Sequence, residues 1–270
     1  MLKRLHMIGG DARTPYVLEF LSQWGYRCET YHVPGLPDTF SPSDAEVQCW
    51  LLPYPAVRDG KICGTADAVA DFLSWVRPGQ AVIGGGLCGL RDAGVCIELA
   101  EDEQLLWRNA VATAEGAVAL TVELLPCALR ETSCLVIGYG RIGRILAKML
   151  RALHADVTVS ARKERDLAAL AAEGFASEHT GAWQAPLSRY RCILNTVPHP
   201  VFSDGQIDAL GKDCVFLDLA SAPYGVTPEQ ALRLQKRYHR AGGLPGKLSP
   251  ESAGLYYAQA VRRKLDEEAL

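Results

Sequence analysis

Hydrophobic positions along the chain switch between two periods. Short apolar or alternating runs rich in β-branched residues cover Leu5–Ile8, Tyr26–His32, Val47–Leu52, Ala81–Ile83, Val95–Ile97, Leu135–Ile137, Asp156–Ser160, Cys192–Val197, Val215–Leu219 and Tyr238–Ala241, and each predicts a strand. Between them apolar residues recur at helical spacing: Tyr16, Val17, Phe20, Leu21 and Trp24; Thr65 to Val76; Val118, Val122 and Leu125 in a helix from Thr113; Ile142, Leu146, Met149, Leu150 and Leu153; and Asp166 to Glu173. Ser203 to Gln206 and Thr227 to Gln230 have the capping-box form, and Ser249-Pro250-Glu251 opens a terminal helix. Val33 to Ser43, Pro53-Tyr54-Pro55, Asp59-Gly60 and Gly243 to Gly246 read as loops or turns. Strands that alternate with helices predict an α/β protein built on parallel sheets. The expected architecture is two doubly wound parallel-sheet domains, Rossmann-like and flavodoxin-like, flanking a cleft. Residues 1–108 form the first domain, joined by a terminal helix over 249–270. Residues 109–130 form an interdomain helix, and residues 131–248 a Rossmann-like domain.

One stretch carries chemistry on its face. Gly138-Tyr139-Gly140-Arg141-Ile142-Gly143 fits G-x-G-x-x-G, with a strand before it and a helix after it. Gly138 suits the tight turn, Gly140 lets a pyrophosphate approach the backbone, and Gly143 lets helix and strand pack closely. Phosphates then meet free N–H groups at the helix N-terminus, with Tyr139, Arg141 and Ile142 beside them. A glycine-rich turn without a ligand is the competing reading. The first strand also runs into glycines, Gly9-Gly10-Asp11, but without the full spacing, so that domain is read as having no cofactor of its own.

The strand after the fingerprint bears on which dinucleotide binds. It ends Ser160-Ala161-Arg162-Lys163, where an NAD site usually carries Asp or Glu for the ribose hydroxyls. Ser160 is expected to hydrogen-bond a 2′-phosphate, and Arg162 and Lys163 to neutralise it, which favours NADP.

Composition narrows the classes. The chain has 270 residues, 49% of them hydrophobic, and a formal net charge of −3, so sizeable cores form and no basic block invites nucleic acid or an anionic membrane. No apolar run reaches bilayer length, and the first ten residues read as strand and turn, not as a signal peptide. Nine cysteines, an odd number without any C-x-x-C, predict free thiols in a reducing cytoplasm, with neither a disulfide framework nor a metal site.

Ligands of doubly wound sheets sit at the carboxyl ends of strands. Asn195-Thr196-Val197-Pro198 and Ala220-Ser221 are therefore expected at the nicotinamide end of the cofactor, and Gly243-Leu244-Pro245 beside the substrate. Arg13 is a candidate clamp for a substrate carboxylate or else a surface arginine, and Thr113 a candidate anion-binding helix start or else a plain N-cap. No catalytic residue is evident. His199, Glu115 and Asp218 are candidates, with an exposed loop histidine and a capping aspartate as the alternatives for the first and last. Lys247 is a surface lysine or an anion contact.

Taken in order, Gly9 to Arg13, Asn109 to Gly116, Val136 to Gly143, Leu194 to Pro198, Leu217 to Ser221, and Gly243 to Gly246 followed by Ser252-Ala253-Gly254 resemble the family of NADP-binding subunits of dipicolinate synthase from spore-forming bacteria. The resemblance covers nearly the whole chain. It implies NADP-dependent oxidation of dihydrodipicolinate to dipicolinate, a dicarboxylate substrate, the flavoprotein-like second subunit of that synthase as partner, and a homo-oligomer in the cytoplasm. Two rival readings are a 2-hydroxyacid dehydrogenase, which needs an arginine and a histidine–carboxylate pair that the motifs do not supply, and a non-catalytic NADP-binding sensor.

Overall fold

A computed structural model describes residues 4–43, 46–90 and 95–268; residues 1–3, 44–45, 91–94 and 269–270 of the expected domain spans lie outside the described residues. In chain order the elements are β1 (Arg4–Ile8), α1 (Thr14–Gln23), β2 (Arg27–Tyr31), β3 (Cys49–Leu51), β4 (Val57–Arg58), β5 (Lys61–Ile62), α2 (Val69–Trp75), β6 (Ala81–Gly84), β7 (Val95–Glu98) and α3 (Glu103–Leu124). These are followed by β8 (Ser133–Ile137), α4 (Arg141–Ala152), β9 (Asp156–Ala161), α5 (Glu164–Ala172), β10 (Ala176–His179), β11 (Cys192–Asn195), α6 (Asp204–Asp208), β12 (Val215–Asp218), α7 (Pro228–Leu234), β13 (Tyr238–Arg240), α8 (Leu244–Leu248) and α9 (Pro250–Glu267). The chain divides into two compact units, Met1–Asn109 with Pro245–Leu270, and Ala110–Leu244. The division falls inside α3.

The first unit is built on a five-stranded parallel sheet of order β2-β1-β3-β6-β7, the flavodoxin-like order. Alternation along each strand feeds two cores. Leu5, Met7, Cys49 and Leu51 pack with Val17 and Leu21 of α1 and with Tyr257 and Val261 of α9. Ile8, Trp50, Leu52 and Val82 pack with Phe72 on the opposite face. Both faces are covered, as parallel sheets require. Helix α9 lies close on α1 because residue 254 has no side chain: a Cβ there would sit 2.7 Å from Cβ of Tyr16 and 2.9 Å from the Arg13 carbonyl oxygen.

The second unit holds a six-stranded parallel sheet of order β10-β9-β8-β11-β12-β13, the doubly wound dinucleotide-binding order. Val136, Val159, Leu194 and Leu217 face Leu146 and Leu150 of α4 on one side. Leu135, Ile137, Ile193 and Phe216 face Phe202, Ile207 and Leu234 on the other. The expected α/β class with two doubly wound parallel sheets is borne out.

Several expectations are corrected. Helix α3 starts at Glu103, ten residues before Thr113, because Asp102 caps it, its Oδ1 accepting the Leu105 N–H at 2.7 Å. Helix α2 starts at Val69, not Thr65, since Thr65 Oγ1 accepts the Asp67 N–H in a turn and Asp71 caps the later start through the Ala68 N–H. Asp59-Gly60 is a turn as expected, with both residues at positive φ (52° and 74°), but it joins a hairpin, β4–β5, that the pattern does not predict. Edge strand β10 escapes the pattern because Glu178 alone of its four residues is buried. Gly243 to Gly246 is not all turn, since Leu244 opens α8. Both capping boxes form as expected, with Ser203 Oγ and Thr227 Oγ1 accepting from the Gln206 and Gln230 N–H groups.

One buried group makes the first unit sensitive to pH. His6 of β1 is fully buried, its ring edge-on to Phe40 at 4.9 Å and its Nε2 3.2 Å from Glu29 Oε2. Burial lowers its pKa below the ordinary 6.5 despite the Glu29 carboxylate, and Arg4 adds to the lowering. Burial also opposes the charge of Glu29, but hydrogen bonds and charge from Arg4 overcome it and hold that carboxyl below its ordinary 4.5. For both groups the folded pKa lies below the unfolded one, so stability is full above the unfolded value and is lost as pH falls toward the folded value. Unfolding midpoints are expected to fall in two steps, the first beginning near 6.5 and the second below 4.5. His6→Leu should abolish the upper step and keep the lower; chemical denaturation measured across both ranges checks this.

Candidate functional site

The fingerprint turn lies between β8 and α4, at the middle of the second sheet. Its three glycines do different work. Gly138 adopts φ +97°, and a side chain there would press on Thr196 and Val197 after β11. A Cβ on Gly143 would collide with the Gly138 carbonyl oxygen, so only glycine lets α4 start this close to β8. At Gly140 the backbone is ordinary, with φ −78°, and a Cβ would meet nothing within 4 Å. The middle glycine is thus not required by packing. Gly140 caps α4 with no side-chain hydrogen bond, leaving the open helix start that binds anions. Tyr139 is buried beneath it, its hydroxyl donating to Glu173 Oε1 at 2.7 Å, with the Arg144 guanidinium 4.5 Å over its ring. Arg141 is exposed and Ile142 packs against the core.

At the end of β9 the expected set separates. Arg162 and Lys163 are exposed. Ser160 is wholly buried and shares a 3.0 Å hydrogen bond with Thr180 of the neighbouring chain segment. The strand runs one residue further than expected, to Ala161, and the Ser160 hydroxyl, which accepts from Thr180, points into the protein. The signal for an anion at this turn rests on the two cations.

Asn195 and Asp218, at the ends of β11 and β12, form one buried network. Asn195 Nδ2 donates to Asp218 Oδ1 at 2.8 Å and to the Val197 carbonyl at 2.9 Å, and its Oδ1 accepts the Val197 N–H at 3.1 Å. Asp218 also accepts from the Ala220 and Gly225 N–H groups and from the Tyr238 hydroxyl. Burial first, then the Asp218 charge and hydrogen bond, push the Tyr238 phenol up to about 12, so it remains a donor. Four donors occupy the Asp218 carboxylate, which corrects its candidacy as a catalytic group: it fixes the turns after β11 and β12. Asn195 is likewise internal to that network. Thr196, whose Oγ1 donates to the Ile137 carbonyl, and Val197 lie against Gly138; Pro198 is exposed, Ala220 buried and Ser221 exposed.

In the first unit the glycine turn after β1 is closed. Gly10 N–H donates to the Cys63 carbonyl at 2.8 Å, and side chains at Gly9 or Gly64 would strike Cys63 or Gly10. These glycines admit neighbouring backbone instead of a ligand. Arg13 is not a free clamp, because its Nε and Nη2 grip Asp11, with Nη2 to Oδ2 at 2.7 Å, and Nη2 also donates to the Tyr54 carbonyl. Burial alone would raise the Asp11 pKa, but the Arg13 hydrogen bonds and charge lower it. The glycine turn after β6 is also filled from within, Glu98 accepting the N–H groups of Gly86, Leu87 and Ala100 at 2.7–2.8 Å.

The remaining candidates are scattered. Thr113 and Glu115 lie inside α3, Glu115 exposed, so Thr113 is no helix start. His199 is exposed, its Nδ1 2.7 Å from the carbonyl of the adjacent Pro200. Gly243 is exposed, but Leu244 is a core residue and Pro245 is buried. Ser249 caps α9 without a side-chain hydrogen bond, and Lys247 is exposed. All nine cysteines are free thiols. Among the described residues no cluster suits a metal ion, and no helix is long and apolar enough to cross a membrane.

No protein-family model matches the chain. A dipicolinate synthase subunit of Bacillus subtilis (strain 168) is 28% identical over 171 residues, which is 63% of this chain and 58% of that protein. The aligned part therefore spans less than two thirds of that relative. The crystal structure of a dipicolinate synthase subunit from Bacillus halodurans matches with a TM-score of 0.85 and 24% identity, over 97% of this chain and 98% of that one. The chain is similar to this dipicolinate synthase subunit. Its counterpart in the crystal structure from Bacillus subtilis gives the same result, with a TM-score of 0.84 and 22% identity over 99% of this chain and 97% of that one. The resemblance read from the ordered motifs is borne out, and the shared fold extends along the whole chain.

The three glycines make separable predictions. Gly140→Val should leave the fold and its melting temperature nearly unchanged and abolish dinucleotide binding, whereas Gly143→Ala should destabilise the second unit itself. Thermal melts and NADPH titrations of both variants check this; a Gly140→Val protein that binds NADPH as wild type does removes the turn as the site.

Proposed function

We propose that the protein is an NADP-dependent oxidoreductase that oxidises dihydrodipicolinate to dipicolinate, acting with a protein like the flavoprotein-like second subunit of dipicolinate synthase. The observation that carries this reading is the open helix start at Gly140, at the centre of a sheet with the dinucleotide-binding strand order. The likeness to a dipicolinate synthase subunit supplies the substrate. The first-turn N–H groups of α4 would receive the pyrophosphate, and Arg162 and Lys163 the 2′-phosphate. Thr196, Val197, Ala220 and Ser221 would line the nicotinamide side. NADP, when bound, supplies the hydride acceptor.

The residues fit such a reaction. Forming an aromatic ring is downhill, so holding the ring against the cofactor contributes most of the rate, and one proton passes to water or a weak base. That matches a site in which Asp218 fixes turns instead of moving protons. A 2-hydroxyacid dehydrogenase would need a histidine–carboxylate pair; His199, in the turn after β11, contacts a backbone carbonyl.

Mixing the full chain with NADP⁺ and freshly generated dihydrodipicolinate should raise absorbance at the reduced-nicotinamide band, and addition of the flavoprotein-like partner should not be needed for cofactor binding. A protein that binds NADPH and oxidises nothing, with or without that partner, is a sensor instead. For cofactor choice, a charge-assisted bond to phosphate contributes about 1.5–3 kcal/mol, so Arg162→Ala should weaken NADPH roughly ten- to hundredfold and leave NADH unchanged. Equal weakening of both in paired titrations would reduce Arg162 to a surface residue.

A further inference from the structure

The second sheet ends in a straight row of paired residues. Ile137 is registered with Asn195, Asn195 with Asp218, and Asp218 with Arg240. Neighbouring strands lie about 4.8 Å apart, so the Arg240 backbone stands about 10 Å along the carboxyl edge from Asn195. Its side chain is exposed. The guanidinium lies 4.3 Å over the ring of Tyr224 and 5.9 Å from that of Tyr238.

The same carboxylate anchors the Tyr238 side chain and the backbone beside Tyr224. Tyr238 donates its hydroxyl to Asp218 Oδ2 at 2.9 Å, and Gly225, next to Tyr224, donates its N–H to that oxygen at 2.8 Å. Tyr224 itself is kept at φ +68°, a left-handed conformation that bulky residues rarely adopt. Such strain persists where the surroundings over-determine it, and it clusters at ligand clamps. Because four donors already occupy Asp218, its charge is satisfied without Arg240. Among the described residues Arg240 makes no ion pair with a carboxylate; its guanidinium hydrogen-bonds the Tyr238 side chain and lies over the Tyr224 ring, and its remaining N–H groups are able to face outward. Arg13, the arginine expected from the sequence to serve as clamp, is instead gripped by Asp11.

We propose that Arg240, seated on Tyr224 and Tyr238, is the carboxylate clamp of the second unit and receives a carboxylate of a small planar acid at the carboxyl edge that carries the cofactor fingerprint. The guanidinium fork matches a carboxylate in a bidentate manner, and the two tyrosines fix its orientation. The identity of that acid as a pyridine dicarboxylate rests on the reading given under Proposed function; the clamp itself does not.

The test uses the full chain with saturating NADPH and follows binding of dipicolinate by calorimetry in wild type, Arg240→Gln and Arg240→Lys, with NADPH affinity measured separately. Arg240→Gln should weaken dipicolinate roughly ten- to hundredfold and leave NADPH affinity unchanged. Arg240→Lys should fall between, since the charge stays and the fork is lost. Equal dipicolinate affinity in wild type and Arg240→Gln overturns the clamp and leaves the proposed reaction standing, and so does a parallel loss of NADPH affinity. If wild type ignores dipicolinate but binds isophthalate or pyruvate, and Arg240→Gln loses that binding, the clamp stands and the proposed substrate falls. Absence of binding by any of the three acids overturns both.

Discussion

The close approach of Gly143 to the Gly138 carbonyl is the contact on which the candidate site depends. It draws the first turn of α4 against the end of β8, with no room for a methyl group between them. That approach aims the free N–H groups of the helix start over the middle of the sheet, beside Thr196 and Val197. The open position at Gly140 is its consequence: the turn needs glycine at 138 and 143 to fold, and glycine at 140 only if something else comes near. What sets Gly140 apart is its place, at an uncovered helix start between two glycines that packing does require.

Other strand ends are filled from within the chain. Asp11 fills the turn after β1 through Arg13, Glu98 fills the glycine turn after β6, and Asp218 fills the turns after β11 and β12. In each case a carboxylate of the chain takes donors that would otherwise seek an anion. These internal bonds cost little in flexibility, because each links residues already adjacent at a sheet edge. They also explain why polar residues at strand ends resemble catalytic candidates when only their positions in the chain are known.

The two units reach a similar layering by different means. In the first, the glycines after β1 are consumed by the backbone of Cys63 and Gly64, and Gly254 lets the terminal helix settle on α1. In the second, the corresponding turn stays open and the cations Arg162 and Lys163 follow the next strand. A strand, a glycine turn and a helix therefore make a dinucleotide site only when the segment that follows leaves the turn uncovered.

The sequence by itself determined the α/β class, most strands to within two residues, both capping boxes and the packing roles of Gly138 and Gly143. These follow from local rules: side-chain period, the backbone freedom of glycine, and the reach of a capping side chain over three residues. The tertiary structure decided the rest. Ser160 is buried against Thr180, a contact made where β9 pairs with β10, whose polar sequence conceals the strand. Arg13 and Asp218 proved to be bound within the fold because their partners, Tyr54 in one case and Asn195, Gly225 and Tyr238 in the other, are distant or unmarked in the chain. Arg240 went unnoticed for the same reason: what singles it out is two tyrosine rings brought together by the pairing of β12 with β13 and by a strained turn. Hydrogen bonds and ring contacts between residues far apart in the chain depend on how strands register, and local pattern carries no information about that.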